Sequence, residues 1–256
     1  MALGISLLGF VIGLLVGVTG MGGGALMTPA LILLGLARPG IAVGTDLVWG
    51  TLTKAVGAAV HFRQGNVDFK IVARLAAGSI PGTLAGLALL AQLHARGSEA
   101  LDRTILRFMA IALMGVSLSL FARSLRTPRP ENTRPNDSSY VPTWMPTVLG
   151  GVTGFLVSLT SVGSGSLIVA GLAMIYPSTP IRRIVGSDIF HALILAGLAS
   201  LGHLQIGNIN FQLLGALLLG SIPGVWVGGK MGRFFPDRAL QLILGTTLLF
   251  LGYKLL

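Results

Sequence analysis

Four long stretches of the sequence contain no charged residue. They cover residues 1–37, 75–95, 138–181 and 189–229. A helix that crosses the hydrocarbon core of a bilayer needs about 20 apolar residues, so each stretch can hold at least one such helix. Only 10% of the residues are charged, whereas an ordinary soluble domain carries roughly 25%. The sequence therefore predicts an all-α, polytopic membrane protein, and it excludes most classes of soluble enzyme.

The absence of cysteine and the spacing of the basic residues narrow the chemistry further. Without cysteine, disulfides and thiolate metal sites are excluded. The formal net charge is +10, but the basic residues stand in small groups between apolar segments. This pattern sets membrane orientation and does not follow a nucleic acid. We expect no cofactor, no metal and no nucleic-acid partner, and nothing in the pattern indicates the oligomeric state.

Apolar segments occur in two series of five, separated by one polar stretch. Residues 123–143 contain four Arg and four Pro, a composition typical of an exposed connector. No basic residue precedes the first segment and no small-residue cleavage pattern follows it, so we expect it to belong to the fold rather than to a signal peptide. The sequence thus predicts a first membrane repeat over 1–122, a linker over 123–143 and a second repeat over 144–256. The predicted segments are 3–18, 25–36, 46–62, 69–92 and 104–122, then 144–159, 165–176, 187–204, 209–229 and 238–255.

Matching motifs indicate that the second series repeats the first. The motif GSIPG begins at Gly78 and again at Gly220, and a Gly-x-Asp motif ends at Asp46 and at Asp188. At a constant offset of 142, residues 44–86 share 13 identities in 43 positions with the second half. Internal repeats of this kind are typical of secondary transporters, in which the substrate site lies between the halves near the bilayer midplane.

The two halves are predicted to be inverted relative to each other. The second segment of each half, about 12 residues, is too short to cross a bilayer, so each half should begin with a broken or re-entrant helix pair, followed by three transmembrane helices. Inversion places 12 basic residues on one side of the membrane and 5 on the other, whereas a parallel arrangement would give 8 and 9. The positive-inside rule therefore favours inversion, with both termini outside.

A break rich in glycine or serine precedes the short segment of each half. Residues 19–24 read TGMGGG, and residues 160–165 read TSVGSG. Backbone N–H groups at a helix start have no intrahelical partner and attract negative charge, so two facing breaks could bind an anion. The alternative is that these glycines only permit close helix packing. The candidate substrate-binding residues in the breaks are Thr19, Gly20, Gly22, Gly23, Gly24, Thr160, Ser161, Gly163, Ser164 and Gly165.

Ionisable residues inside apolar segments form a second group of candidates. Asp46 and Asp188 could bind a coupling proton or sodium ion, because such groups are costly in a membrane and usually functional. Alternatively, they could complement the dipoles of helices that Thr45 and Ser187 cap. His191 lies three residues after Asp188 and could form a proton relay with it, or it could be a hydrogen-bonded core residue.

A lysine, two prolines and two histidines complete the candidates. Lys54 lies too deep in its segment to reach either interface easily, so it is a candidate anion contact, with snorkelling as the alternative. Pro81 and Pro223 lie inside predicted helices and could act as gating hinges. His61 and His203 end equivalent segments, each before a Gly-Asn turn. We expect these histidines to anchor turns at the membrane interface rather than to take part in chemistry.

Several of these motifs together resemble a known family. The run GMGGGALMTPALILLG over 20–35, followed by AVGTDL, H-x3-GNVD and GSIPGTLAG, is similar to the sulfite exporter TauE/SafE family of integral membrane transporters. The resemblance implies movement of a small anion such as sulfite, a sulfonate or another sulfur-containing organic anion across the bacterial inner membrane. It assigns Gly20 and residues 22–24 to the glycine motif. In the second half, Ser161 and Ser164 replace glycines of that motif.

The predicted function is therefore secondary transport of a small anion by alternating access at the repeat interface, in the export direction. A first alternative is a cation- or proton-coupled carrier of a different solute, with Asp46 and Asp188 as ion ligands. A second is an intramembrane hydrolase that uses Ser164 with His203 and Asp188, although no Gly-x-Ser-x-Gly elbow is present. A third is a purely structural membrane subunit, which would not need polar residues at matching depths in both halves.

Overall fold

The computed structural model describes residues 2–19, 24–125, 142–231 and 236–256. Within these ranges the chain forms ten α-helices and no strand, so the all-α prediction is confirmed. In chain order the helices are α1 (Ala2–Thr19), α2 (Gly24–Leu33), α3 (Pro39–Arg63), α4 (Phe69–Arg96), α5 (Ser98–Ser124), α6 (Trp144–Thr160), α7 (Ser166–Ile175), α8 (Ile181–Ile206), α9 (Phe211–Met231) and α10 (Asp237–Leu255).

The outer surface of the helical bundle is apolar. Among the described helices, α4, α5, α8 and α9 are long and apolar enough to cross a membrane, judged by length and composition. Large apolar side chains on these helices point away from the protein; Leu118 and Leu219, for example, are 71% and 75% exposed. A surface of this kind is stable only when lipid covers it. The chain is therefore an integral membrane protein.

Several helix boundaries differ from those that the sequence predicts; α5, for example, begins at Ser98 rather than at residue 104. Helix α3 begins at Pro39 rather than at residue 46, and α8 begins at Ile181, directly after Pro180, rather than at residue 187. Proline is favoured at a helix start, because its missing N–H would have no partner there. Helix α5 continues through Ser124, so Arg123 lies in a helix and not in the connector. Most of that connector, residues 126–141, lies outside the described residues.

The two halves of the chain pack against each other through helix pairs that correspond under exchange of the halves. The most extensive contacts join α1 to α9, α4 to α6, α5 to α10 and α3 to α8. Exchanging the halves converts the α1–α9 pair into the α6–α4 pair, and it converts the other two pairs into themselves. The packing therefore has the two-fold pattern that the sequence repeat suggests, and it interlocks the halves.

Glycines allow the backbones of α1 and α9 to touch. Gly9 and Gly13 of α1 lie against the backbone of Leu217 and Ser221, and a Cβ on either glycine would overlap that backbone. From the other side, Gly220 of α9 lies against the carbonyl of Ser6. The same arrangement joins α4 to α6. Small residues spaced four apart are the usual means by which helices approach closely in lipid.

The directions of the paired helices follow from which residues meet. Along α3 and α8 the numbering runs in opposite directions, because Gly44 lies beside His203 whereas Gly57 lies beside Ile189. Helices α3 and α8 are equivalent in the sequence repeat, and they pack antiparallel. Helices α1 and α9 run in the same direction, since Gly9 meets Leu217 and the later Gly17 meets Val225.

Replacing Gly220 by Ala is expected to destabilise the protein, because the new methyl group would overlap the Ser6 backbone. Overpacking of this kind costs about 1–3 kcal/mol. Gly215 is a matched control in the same helix, since a Cβ there meets no atom within 4 Å. Gly215→Ala should leave the melting temperature in detergent unchanged or slightly raised, because Ala favours a helix. Equal melting temperatures for the two variants would contradict the proposed packing.

Candidate functional site

In the second half, a break separates helix α6 from helix α7. Helix α6 ends at Thr160 and α7 begins at Ser166, and Ser161 between them has a left-handed backbone with φ of 58°. Gly163 and Gly165 also have positive φ values, of 120° and 104°. Glycine adopts such conformations without the steric cost that a Cβ imposes. These conformations end α6 and redirect the chain into α7.

The two breaks meet in the centre of the bundle. Gly24, the first residue of α2, packs so closely against Ser161 that a Cβ would overlap its carbonyl oxygen. The other glycine candidates of the first break, Gly20, Gly22 and Gly23, lie outside the described residues. The structure thus brings together one described residue of the first break and one of the second, so the breaks adjoin in space despite their distance in sequence.

A cavity of about 490 Å³ lies next to this junction. Residues of both halves line it, and several of them are polar or charged. It extends from the break towards the end of α5 and the start of α10, where Arg123 and Gln241 border it. The polar and break residues at its inner end are Thr19, Thr53, Lys54, Gly165, Ser166 and Asp188.

Lys54 projects from α3 into this cavity. Its ammonium group donates a hydrogen bond to the hydroxyl of Ser164 over 3.1 Å. It also interacts electrostatically with the carboxylates of Asp46 and Asp188, but it forms no ion pair with either among the described contacts. The lysine therefore contacts the second-half break directly, and it does not snorkel to an interface.

Asp46 and Asp188 are buried at equivalent positions but have different surroundings. Each is the eighth residue of its helix, so neither lies in the first turn, and the capping interpretation is wrong. Asp46 accepts a 2.5 Å hydrogen bond from the hydroxyl of Thr28, and Ser161 lies close to the same carboxylate. Asp188 lines the cavity, with the Gly165 amide facing it. In each carboxylate, atom Oδ1 is buried without a hydrogen-bond partner among the described residues.

The neighbouring hydroxyl groups of Thr45 and Ser187 join the two halves instead of capping their own helices. The hydroxyl of Thr45 accepts a hydrogen bond from the backbone N–H of Asn210 over 3.1 Å. The hydroxyl of Ser187 accepts one from the N–H of Asp68 over 2.8 Å. Asn210 and Asp68 directly precede α9 and α4, so the start of each of these helices is tied to the opposite half.

A second pair of equivalent contacts involves the serines of the two GSIPG motifs. The indole N–H of Trp49 donates to the hydroxyl of Ser221 over 2.7 Å. At the equivalent place, Nε2 of His191 and the hydroxyl of Ser79 are also 2.7 Å apart. Trp49 and His191 differ chemically but keep the same cross-half hydrogen bond. His191 is therefore hydrogen-bonded to Ser79 in the core, and among the described residues no hydrogen bond joins it to Asp188.

The remaining candidates lie away from the cavity lining. His203 is fully buried, and its Nε2 atom is 2.8 Å from the carbonyl of Ser158, while its own carbonyl accepts a hydrogen bond from the N–H of Asn208 in the turn after α8. The hydrolase interpretation would require a hydrogen bond between His203 and Ser164, and the described contacts do not include one. Thr160 donates to the carbonyl of Leu156 within its own helix. His61 is the last candidate histidine, and its buried Nδ1 atom has no partner among the described residues.

The two prolines do not interrupt their helices. Helix α4 continues through Pro81, and α9 continues through Pro223. Both rings lie on the exposed face of their helix. Their role as gating hinges stays a prediction.

Comparison with known proteins assigns the chain to a family. The sequence model of the family described as "Sulfite exporter TauE/SafE" matches residues 5–255. The chain belongs to this family. It is 38% identical over the full length of both chains to "Probable membrane transporter protein YjnA" of Bacillus subtilis (strain 168). It is 27% identical to the YdhB protein of the same organism over 91% of each chain, and 26% identical to YunE over 97% of this chain and 95% of that one. No solved structure matches the chain.

The family and these relatives are membrane transporters rather than enzymes, as the sequence predicts. Over the described residues, no cluster of three or more His, Cys, Asp and Glu side chains could hold a metal ion. The TauE/SafE-family chain is thus a membrane transporter with a cavity between its two halves, and some of the residues that line this cavity are polar or charged.

Sequence reasoning missed several residues of the site. The sequence places Arg123 in the connector, because the prolines that follow it indicate an earlier helix end than the one observed. Thr28 lies within the run over 20–35 and Ser166 directly follows the second break, but neither residue is ionisable and neither stands out among its neighbours. Ser79 and Ser221, the serines of the two GSIPG motifs, are recognisable as repeat equivalents. Their hydrogen-bond partners, His191 and Trp49, also occupy equivalent positions, but these two side chains have only a ring N–H in common, so the sequence does not reveal the equivalence.

Replacing Ser79 by Ala is expected to destabilise the transporter. The substitution leaves the buried imidazole of His191 without its Ser79 partner, and an unsatisfied buried polar group costs about 1–3 kcal/mol. Ser200→Ala is a suitable control, because that hydroxyl bonds only to the Gly197 carbonyl of its own helix. Thermal unfolding in detergent should show a lower melting temperature for Ser79→Ala alone. If both variants melt like the wild type, the cross-half hydrogen bond does not stabilise the fold.

Proposed function

We propose that this TauE/SafE-family protein exports a small anion across the bacterial inner membrane by alternating access. The proposed substrates are sulfite, a sulfonate or another sulfur-containing organic anion, in line with the family description. The observation that carries the proposal is the position of Lys54. A single ammonium group stands at the inner end of a cavity between the two halves, held by Ser164 of the second break.

The chemistry of the cavity favours an anionic solute. A charged group inside a membrane-spanning bundle is costly unless it has a partner or a function, so we infer that Lys54 acts on a solute in the cavity. The N-terminal end of α7 adds backbone amides to the same region, and such amides attract negative charge. The cavity of about 490 Å³ is far larger than the roughly 30 Å³ occupied by one water molecule. It therefore has room for a small oxyanion and several water molecules.

The helix arrangement supports alternating access between inverted repeats. The equivalent helices α3 and α8 pack antiparallel, as expected for two halves of opposite orientation. We place the first repeat over 1–122 and the second over 144–256, joined by the connector. Rocking of one half against the other would then expose the cavity to each side in turn.

A second candidate function is a cation- or proton-coupled carrier of a different small solute. It is favoured by the buried oxygens of Asp46 and Asp188 that have no hydrogen-bond partner among the described residues. In that case the carboxylates would bind a proton or sodium ion, and the organic solute need not be an anion.

Flux measurements with purified protein in liposomes test the proposal. Liposomes loaded with sulfite or methanesulfonate should release the anion faster with the protein than without it. Lys54→Met should weaken the apparent affinity about tenfold or more, because losing a charged hydrogen-bond donor costs about 1.5–3 kcal/mol. Lys230→Met is the matched control, since Lys230 lies over the Trp226 ring at 3.4 Å and does not line the cavity.

Two outcomes would contradict the proposal. If neither anion crosses under any gradient, the proposed substrate class is rejected. If Lys54→Met transports with wild-type affinity, Lys54 is not the anion contact. Flux of an uncharged or cationic solute driven by a sodium or proton gradient would instead favour the second candidate function.

A further inference from the structure

We propose that Asp188 carries a proton during the transport cycle, so that each anion binds beside Lys54 together with one proton on Asp188. The two then cross the membrane together. This inference rests on the proposed function, and it adds the coupling ion, its stoichiometry and the residue that binds it.

The first support is that Lys54 and Asp188 share one cavity without forming an ion pair. Both side chains line it, and the two groups interact electrostatically, but they are not within ion-pair distance. The ammonium group is hydrogen-bonded to Ser164 instead. Opposite charges inside a membrane protein usually pair with one another. Here the space between them is left for a solute.

The second support is the unsatisfied oxygen of Asp188. Its side chain is 2% exposed, and its Oδ1 atom has no hydrogen-bond partner among the described residues. A buried carboxylate oxygen without a partner is unfavourable when the group is ionised. When the group is protonated, it gains an O–H donor, which can bind an oxygen of a neighbouring anion.

The two protonation states therefore have opposite effects on the cavity. With Asp188 ionised, its charge offsets that of Lys54 and repels an entering anion. With Asp188 protonated, the repulsion disappears, and the ammonium and carboxyl groups both become donors to the anion. The proton comes from water on one side of the membrane and returns to water on the other. No covalent bond of the anion forms or breaks.

Other charged groups near Asp188 do not duplicate this role. From α3 it faces Lys54, and from α5 Arg123 borders the same cavity. On α8 itself, His191 is hydrogen-bonded to Ser79. On α4, Arg74 donates a hydrogen bond to the Tyr176 hydroxyl. Helices α6 and α7, which also contact α8, contain no titratable side chain.

Asp46 provides an internal comparison. It occupies the equivalent position in the first half, and it also interacts electrostatically with Lys54. However, Thr28 donates a hydrogen bond to it, and it does not line the cavity. The two-fold pattern thus contains two aspartates but only one that shares the cavity with the lysine. This asymmetry predicts one proton for each anion.

The test is a measurement of proton movement coupled to anion movement. Proteoliposomes containing a pH-sensitive dye are given an outward gradient of methanesulfonate, a monovalent anion that stays ionised near neutral pH. Wild-type protein should export one proton for each methanesulfonate, so that the lumen becomes alkaline. The net charge moved is then zero, and the rate should not depend on membrane potential.

Three variants separate Asp188 from its surroundings. Asp188→Asn should move the anion without a proton, so the dye signal is lost and the flux becomes dependent on membrane potential. Asp188→Glu should restore proton movement at least in part, because it keeps a titratable carboxyl group. Asp46→Asn should retain the proton-to-anion ratio of the wild type, whatever its effect on the rate. Thermal unfolding of each variant identifies any loss caused by misfolding.

The outcomes distinguish this inference from the function on which it rests. Anion flux without proton movement in the wild type, or an unchanged ratio in Asp188→Asn, would overturn the inference and leave the anion transporter intact. If Asp46→Asn loses the proton movement and Asp188→Asn keeps the wild-type proton-to-anion ratio, the proton is carried by Asp46, and the inference about Asp188 is overturned. Absence of both methanesulfonate and sulfite flux in the wild type would reject the proposed function and, with it, this inference.

Discussion

Close contact between glycine-bearing backbones of opposite halves is the interaction on which the rest of this structure depends. Lipid is as apolar as the side chains it surrounds, so burying apolar surface does little to hold transmembrane helices together. Helices α1 and α9, like α4 and α6, are joined because small residues let their backbones touch. These contacts hold α1 and α6, the helices that precede the two breaks, against the opposite half.

The same contacts explain why polar groups can exist in the middle of the bundle. Because the breaks adjoin, irregular backbone at this depth is covered by protein and borders a cavity, which is the only setting in which a membrane tolerates it. Hydroxyl groups then complete the arrangement across the halves, from Thr45 to the start of α9 and from Ser187 to the start of α4. Lys54 and Asp188 lie within a frame that is otherwise nearly symmetric.

Much of the fold could be predicted from the sequence, and for identifiable physical reasons. Long uncharged runs predict the membrane helices, and the repeated GSIPG motif predicts which helices of the two halves correspond. Helix starts were less predictable, because α3 begins at Pro39 and α8 begins directly after Pro180, well before the polar residues that resembled caps. A cap is defined by backbone geometry, and Thr45 or Ser187 has the right chemistry without the right position.

The candidate site was predictable only in part. The breaks, the lysine and the two aspartates stand out, because charged or irregular residues are rare in apolar segments. Their pairing could not be read from spacing. Lys54 meets Ser164 of the other half, and His191 bonds to Ser79 rather than to the aspartate one turn before it. Such contacts depend on how distant helices pack, which a pattern within one helix does not determine.

The partnership of α1 with α9 also constrains how the protein is made. Helix α1 is synthesised before α9, so the surface that receives its glycines is made only after seven intervening helices have been translated. Until α9 is made, the glycine face of α1 lacks the backbone that covers it in the folded protein. The packing of the first helix is therefore completed late in synthesis.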